Sequence, residues 1–218
     1  MKWQGRRGSD NVEDRRGMST GTKVVGGGIG MLVIVLLVYL LGGDPSGILQ
    51  ESGSAETAGP VEASAEENAL AQFVSVVLAD TEEVWGKIFA QSGATYRQPT
   101  LVLFRDQVQS ACGYATAASG PFYCPGDEKV YIDLSFFDDL RAKYGAYGDF
   151  AIAYVVAHEI GHHVQNQLGI LDEVQKERQR LSEVRANQLT VRLELQADFL
   201  AGVWAHHASR MFDSGEEG

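Results

Sequence analysis

Two histidines four residues apart, His158 and His162, lie in an apolar stretch of the sequence with helical spacing. Residues at positions i and i+4 lie about one turn apart on the same side of a helix, so both imidazoles can reach a single cation. The far side of this helix, about 160° around its axis, carries an apolar series with the same spacing, Val156, Ile160, Val164 and Leu168. The pattern predicts a helix, starting at Asp149 and ending near Gly169, with one face in the core and the other at a metal ion.

Glu159 follows the first histidine and lies about a quarter turn around the helix from the pair. This position is poor for a third metal ligand but allows the carboxylate to reach a water bound to the metal. We expect Glu159 to be the catalytic general base, taking a proton from a water whose pKa zinc has lowered and passing it to the leaving amine. Gly161 leaves no side chain beside the ligands.

A second helical segment offers the third ligand. A catalytic zinc ion takes three protein ligands and keeps one position open. Glu194, in the segment RLELQAD, is the best candidate for that ligand. Asp198 lies one turn further on and can accept a hydrogen bond from the other nitrogen of a ligand histidine, which would fix the tautomer of the ring. The sequence therefore predicts one catalytic Zn²⁺ at His158, His162 and Glu194.

Other polar residues near these segments are weaker candidates. His163 lies about 100° around the helix from His162 and is predicted to be a partly exposed helix residue, not a ligand. His206 and His207 are predicted to lie on the surface, unless their helix returns to the cleft and makes them transition-state donors. The tyrosines are either oxyanion donors or amphipathic core residues; they are Tyr131, Tyr144, Tyr147 and Tyr154.

Residues 24–41 contain no charged side chain over 18 residues, which is just long enough to cross a bilayer. Residues 1–23 carry more basic than acidic side chains, whereas acidic residues follow the stretch, so the positive-inside rule places the N-terminus in the cytoplasm. The competing interpretations are a cleaved signal peptide and a buried core helix. The favoured prediction is a single-pass protein of the bacterial cytoplasmic membrane with its domain on the extracytoplasmic side.

The chain divides by composition into four predicted segments. A cytoplasmic basic tail at 1–23 and a transmembrane helix at 24–41 precede a flexible linker at 42–65, rich in Gly, Ser, Ala and Glu. The domain at 66–218 opens with a helix from about Glu66 to Gly93 and continues with two strands at 100–104 and 129–134. A charged helical stretch at 171–207, broken once, follows the histidine motif. These elements predict an α+β domain, mainly helical with a small sheet.

The two cysteines and the net charge limit the partners and the compartment. Cys112 and Cys124 lie in one loop, and an even pair in an oxidising compartment favours a disulfide. Metal ligation and two free thiols are the alternatives. The formal net charge is −11 at pH 7, so nucleic acid is not an expected partner.

Three segments resemble the signature segments of the bacterial putative neutral zinc metallopeptidase family: HEIGHHVQNQLG, RLELQADFLAGVWAHH and GPFYCPGDEKVYIDLSFF. The start RRGSDNVEDRRG, followed by an apolar stretch, is also similar to that of the family. The resemblance implies zinc at His158, His162 and Glu194, catalysis by Glu159, and a gluzincin-like (zincin) helical domain with a small sheet. It also implies that the strand at 129–134 is the edge that receives an extended peptide.

Members of this family usually continue beyond the ELQAD helix with a further His-Gly-Ser segment, which is not in this sequence. We therefore expect either a truncated form or a cleft that lacks one part. The leading hypothesis is a membrane-anchored zinc metalloendopeptidase acting on a peptide or protein substrate. A zinc-stabilised, membrane-tethered binding or regulatory protein without turnover is the alternative, and an amidase acting on cell-wall peptides shares the chemistry of the first.

Overall fold

The computed structural model describes residues 1–17, 63–145 and 148–213. Met1–Arg16 and the residues from Ala63 onward belong to one compact unit. The predicted membrane span at 24–41 and residues 42–62 of the predicted linker lie outside the described residues. Within the described ranges, no helix has both the length and the apolar character of a membrane crossing.

The described elements form a mainly helical α+β domain with a four-stranded and a two-stranded sheet, which confirms the predicted fold class at this level. The strands are β1 (Val12–Asp14), β2 (Thr100–Phe104), β3 (Gln107–Ser110), β4 (Gly113–Thr116), β5 (Phe122–Cys124) and β6 (Lys129–Asp133). The helices are α1 (Ala65–Gln91), α2 (Phe136–Tyr144), α3 (Asp149–Gln167), α4 (Ile170–Arg178) and α5 (Glu183–Asp213), with a 3₁₀ turn at Ala117–Ser119.

The long helices begin and end where local chemistry allows. Ser64 caps α1, because its side chain accepts a hydrogen bond from the Glu67 N–H at 3.1 Å. Gly93 and Gly169 follow the ends of α1 and α3 with φ of +74° and +76°, a conformation that glycine adopts without steric cost. The predicted single break in the last helical stretch is confirmed and lies between α4 and α5.

The four-stranded sheet has the order β1-β2-β6-β5. Strands β1, β2 and β6 run parallel, and β5 runs antiparallel to β6. The prediction that residues 129–134 form the edge strand is wrong, since β6 lies between β2 and β5. Strand β5 is the edge. It has only three residues and lies between Pro121 and Pro125, so it is too short for its alternation to be recognised in the sequence.

Residues 1–16 of the segment predicted as a cytoplasmic basic tail (1–23) are part of the compact domain. Strand β1 pairs with β2 in the register Val12↔Leu101 to Asp14↔Leu103. Trp3 packs against the main core and lies 5.4 Å, between ring centroids, from Phe73 of α1. Charged residues of this segment form ion pairs within the domain, among them Arg6 with Asp80 and Glu13 with Lys129.

The main core lies between the sheet and helices α1, α3 and α5. The predicted apolar face of α3 is buried at Val156, Ile160 and Val164, which are at most 1% exposed, whereas Leu168 is 57% exposed beyond the end of the helix. Trp204 of α5 is also buried in this core. Packing of this face fixes the rotation of α3, so that His158 and His162 point toward α5.

Candidate metal centre

His158 and His162 of α3 and Glu194 of α5 converge on one point. Their ligand atoms all lie within 4.8 Å of one another, the one such group of three among the described residues. Glu194 Oε2 lies 3.3 Å from Nε2 of His158 and 3.4 Å from Nε2 of His162. The structure thus brings together the three residues that the sequence predicts as ligands, and two imidazoles with one carboxylate form a donor set suited to zinc.

Asp198 holds His158 from the other side of its ring. Its Oδ1 lies 2.9 Å from Nδ1 of His158 and accepts a second hydrogen bond from the Tyr154 hydroxyl at 2.7 Å. These hydrogen bonds, first that of Tyr154 and then that of His158, lower the pKa of Asp198 and keep it ionised. An ionised Asp198 favours the proton on Nδ1 of His158, which leaves the lone pair of Nε2 available to bind a cation between this ring and Glu194.

Gln165 holds the ring of His162 as Asp198 holds that of His158, a role that was not predicted from the sequence. Its Oε1 lies 2.9 Å from Nδ1 of His162. Its amide Nε2 donates to the Leu193 carbonyl at 2.7 Å and to Gln196 Oε1 at 3.1 Å, both on α5. The side chain is fully buried. Gln165 therefore orients one ligand and joins the two helices that carry the ligands. Each histidine has its Nδ1 held and its Nε2 directed to Glu194, so the residues fit a bound zinc ion.

Glu159 is buried beside this donor set, with 8% of its surface exposed. Burial raises its pKa to about 7, and the neighbouring Glu194 acts in the same direction. The His162 charge and a hydrogen bond from the Tyr123 backbone N–H oppose this shift. A cation bound by the three ligands would also lower the pKa of Glu159, because it favours the carboxylate. The position suits a proton acceptor that becomes ionised as the pH rises to about neutral.

His163 is not a partly exposed residue as predicted, since it is completely buried. Its Nδ1 lies 3.0 Å from the Tyr123 hydroxyl of β5, and its Nε2 lies 2.6 Å from the Arg97 carbonyl. Asn166, one turn on, donates to the same hydroxyl at 3.0 Å. Helix α3 thus contacts the edge strand through two polar side chains, His163 and Asn166, which share the Tyr123 hydroxyl. The sequence gives no sign of this role, because β5 itself is not recognisable there.

Gly161 lies at the closest approach of α3 and α5. A Cβ atom at this position would lie 2.9 Å from the carbonyl oxygen of Ala197 and 3.1 Å from its Cα. Ala197 is fully buried and lies between Glu194 and Asp198 on α5. The absent side chain therefore lets the two ligand-bearing helices approach closely, a role different from the open space around the ligands that the sequence suggests.

A cleft of about 360 Å³ opens over the donor set. Strand β5 and the residues around it form one wall, and Leu171 of α4 contributes to its lining. A larger cavity of about 650 Å³ lies elsewhere, between the start of α1 and the ends of β2 and β6. We assign the chemistry to the smaller cleft, because it contains the two histidines, Glu159 and Glu194.

A disulfide joins Cys112 to Cys124, as predicted. Cys112 lies in the turn between β3 and β4, and Cys124 is the last residue of β5. The bond therefore ties the β3–β4 hairpin to the strand that lines the cleft.

The remaining candidates lie in different places. Tyr154 contacts the centre through Asp198, whereas the Tyr131 hydroxyl donates to Asp127 at 2.7 Å. His206 and His207 are exposed on α5, as predicted. Tyr147 lies outside the described residues.

Fold, helix motif and donor set agree with the comparison to known proteins. The chain belongs to the family described as putative neutral zinc metallopeptidase, which matches residues 1–218. It is 46% identical over 215 residues to "Uncharacterized protein YpfJ" of Escherichia coli (strain K12), covering 94% of this chain and 75% of that protein. It is 50% identical over 115 residues to "Uncharacterized protein Rv2575" of Mycobacterium tuberculosis (strain ATCC 25618 / H37Rv), covering 52% of this chain and 38% of that protein. No solved structure matches the chain.

Proposed function

We propose that the protein is a zinc-dependent endopeptidase that hydrolyses peptide bonds with Glu159 as the general base. The observation that carries this proposal is the convergence of His158 Nε2, His162 Nε2 and Glu194 Oε2 beside a buried carboxylate in an open cleft. When bound, zinc supplies a Lewis acid that lowers the pKa of water and polarises a carbonyl group.

The residues of the chain divide the remaining work. His158, His162 and Glu194 hold the ion, while Asp198 and Gln165 keep the two rings in the required orientation. Glu159 takes a proton from the attacking water and delivers it to the nitrogen of the leaving amine. Burial favours the protonated form of Glu159, which can release a proton to the amine, whereas a bound cation would favour the carboxylate, which can accept one from water.

An extended substrate would bind along β5. This strand is the edge of the four-stranded sheet and lines the cleft, so an extended peptide could lie beside it. The edge strand predicted at residues 129–134 is instead Phe122–Cys124. The hydrogen bonds of the Tyr123 hydroxyl with His163 and Asn166 hold this strand against the helix that carries Glu159.

Metal analysis and peptide digestion test the proposal on the full-length chain. We expect close to one zinc ion per chain and cleavage of a broad peptide library that a chelator abolishes. The Glu159→Gln variant should keep zinc and fold but lose cleavage. The double variant His158→Ala, His162→Ala should lose zinc, whereas the matched double variant His206→Ala, His207→Ala should keep both zinc and cleavage.

Two outcomes would refute the proposal. If the double variant at His158 and His162 binds zinc like the parent chain, the metal centre is elsewhere. If the parent chain holds zinc and cleaves neither proteins nor cell-wall peptides, the binding or regulatory alternative is favoured.

A further inference from the structure

The segment Met1–Arg16 is built into the domain, although residues that predict a membrane span separate the two in the sequence. Its strand β1 adds to the parallel part of the sheet, and the residues on either side of β1 are also hydrogen-bonded to β2. Leu101 N–H donates to the Asn11 carbonyl at 2.9 Å, and Arg15 N–H donates to the Leu103 carbonyl at 2.8 Å. Residues 11–15 of the segment are therefore hydrogen-bonded to the neighbouring strand β2.

Two buried carboxylates of α1 have their hydrogen-bond partners in the segment Met1–Arg16, so packing of this segment against α1 is part of the fold. Asp80 is 3% exposed and pairs with Arg6, whose Nη1 lies 2.8 Å from Oδ2. Glu82 is 5% exposed and accepts hydrogen bonds from Ser9 at 2.6 Å and from Asn11 at 2.8 Å. Buried charges require such partners, so α1 is suited to a domain in which the N-terminal segment is always bound.

Close packing and further ion pairs fix the segment over its whole length. A Cβ atom at Gly8 would lie 2.5 Å from Ser75 Oγ, which shows how closely the backbone approaches α1. Arg16 is 7% exposed, and its guanidinium donates to the Glu67 carbonyl at 3.2 Å and to Asn68 Oδ1 at 3.1 Å. Lys129 of β6 pairs with Glu13 at 2.5 Å.

We propose that Met1–Arg16 and the metal centre lie on the same side of the membrane. Two strands that are hydrogen-bonded to each other cannot lie on opposite sides of a bilayer. The sequence-based prediction of a single crossing, with the N-terminus inside and the domain outside, conflicts with this proposal, because β1 and β2 pair in one sheet. The positive-inside argument loses its basis at Arg6, Arg15 and Arg16, because their charges are paired within the domain.

Thiol labelling of the full-length chain in spheroplasts tests the side of each part. Asp10→Cys reports on the N-terminal segment, since its side chain is 97% exposed, and Val184→Cys reports on the domain, since Val184 is 68% exposed. The parent chain, whose two cysteines are bonded to each other, gives the background. A membrane-impermeant maleimide is added before lysis and, in a parallel sample, after detergent lysis.

We expect both variants to react to the same extent before lysis, either both fully or both only after detergent. Reaction at one position with protection of the other would overturn the proposal. The docking is tested separately with Gly8→Cys, Ser75→Cys, because a Cβ at Gly8 would lie 3.3 Å from Ser75 Cβ, close to the separation in a disulfide. The purified variant should form this bond within one chain under mild oxidation. Two free thiols in the folded protein would refute the docking, whatever the enzymatic activity.

Discussion

Replacing Gly161 with alanine tests how closely the two ligand-bearing helices pack. In an open helical position this change stabilises a protein by about 0.4–1 kcal/mol, because alanine restricts the unfolded chain and favours the helix. At Gly161 the new Cβ meets three backbone atoms of Ala197, at 2.9, 3.1 and 3.3 Å. Backbone atoms cannot move away by a change of rotamer, so α3 and α5 must separate.

The size of the effect follows from this geometry. Ordinary van der Waals contact starts at 3.4 Å, so the helices must separate by about 0.5 Å. Overpacking of this kind costs about 1–3 kcal/mol, which corresponds to a fall in the melting temperature of about 2–12 °C for a domain of this size. Because Ala197 lies between Glu194 and Asp198, the same shift should weaken zinc binding about tenfold or more.

Thermal unfolding and zinc competition against a chelator measure the two effects. Gly202→Ala is the matched control, because Gly202 lies on α5 and no heavy atom lies within 4 Å of its added Cβ. This control should stabilise the domain slightly and leave zinc affinity unchanged. Ala197→Gly should not rescue the variant, since the atoms in contact are backbone. If Gly161→Ala is as stable as Gly202→Ala and binds zinc like the parent chain, the argument for close helix packing is refuted.

Three further predictions concern the second nitrogen of His162, the edge strand and an ion pair. Gln165→Leu should weaken zinc binding about 10–100-fold in a chelator competition, because His162 loses its acceptor; unchanged affinity would contradict this role. Tyr123→Phe should lower the free energy of unfolding in urea by about 1–3 kcal/mol, because buried polar partners lose the hydroxyl, while zinc content stays that of the parent. The hydrogen bond from Arg105 lowers the pKa of Glu67 below its usual 4.5, so this pair stabilises the fold above pH 4.5 and stops doing so as the pH falls through the lowered pKa. The stability difference between the parent and Arg105→Gln should therefore shrink in acid, and a difference independent of pH would count against the pair.

The parts of the centre that depend on one helix could be predicted from sequence. His158 and His162 share a face because of helical geometry, and the buried residues on the far side of α3 fix that face toward a neighbour. The relation of Glu194 to Asp198 is equally local, since both lie on one side of α5. The strand at Thr100–Phe104 was recognisable because the β-branched Thr100 is followed by a run of four apolar residues.

The features that the sequence did not reveal depend on contacts between distant segments. Gln165 lies one turn from His162, but its orientation depends on hydrogen bonds to Leu193 and Gln196 of α5, a helix that is distant in the sequence. His163 is buried because the chain around Arg97 and strand β5 cover it. The N-terminal arginines looked like a basic tail because their acidic partners, such as Asp80 and Glu67, lie far along the chain.

Strand β1 also has a consequence for the order of folding. Val12 is synthesised before its partner Leu101, which follows about 90 residues later, and such non-local pairing is slow to form. Strand β1 must therefore wait for α1 and β2 before it can pair. Until then β2 has an unpaired edge and Asp80 and Glu82 lack their partners. A fragment that begins at Ala63 would keep this edge exposed permanently, and we expect such a fragment to associate with itself through β2.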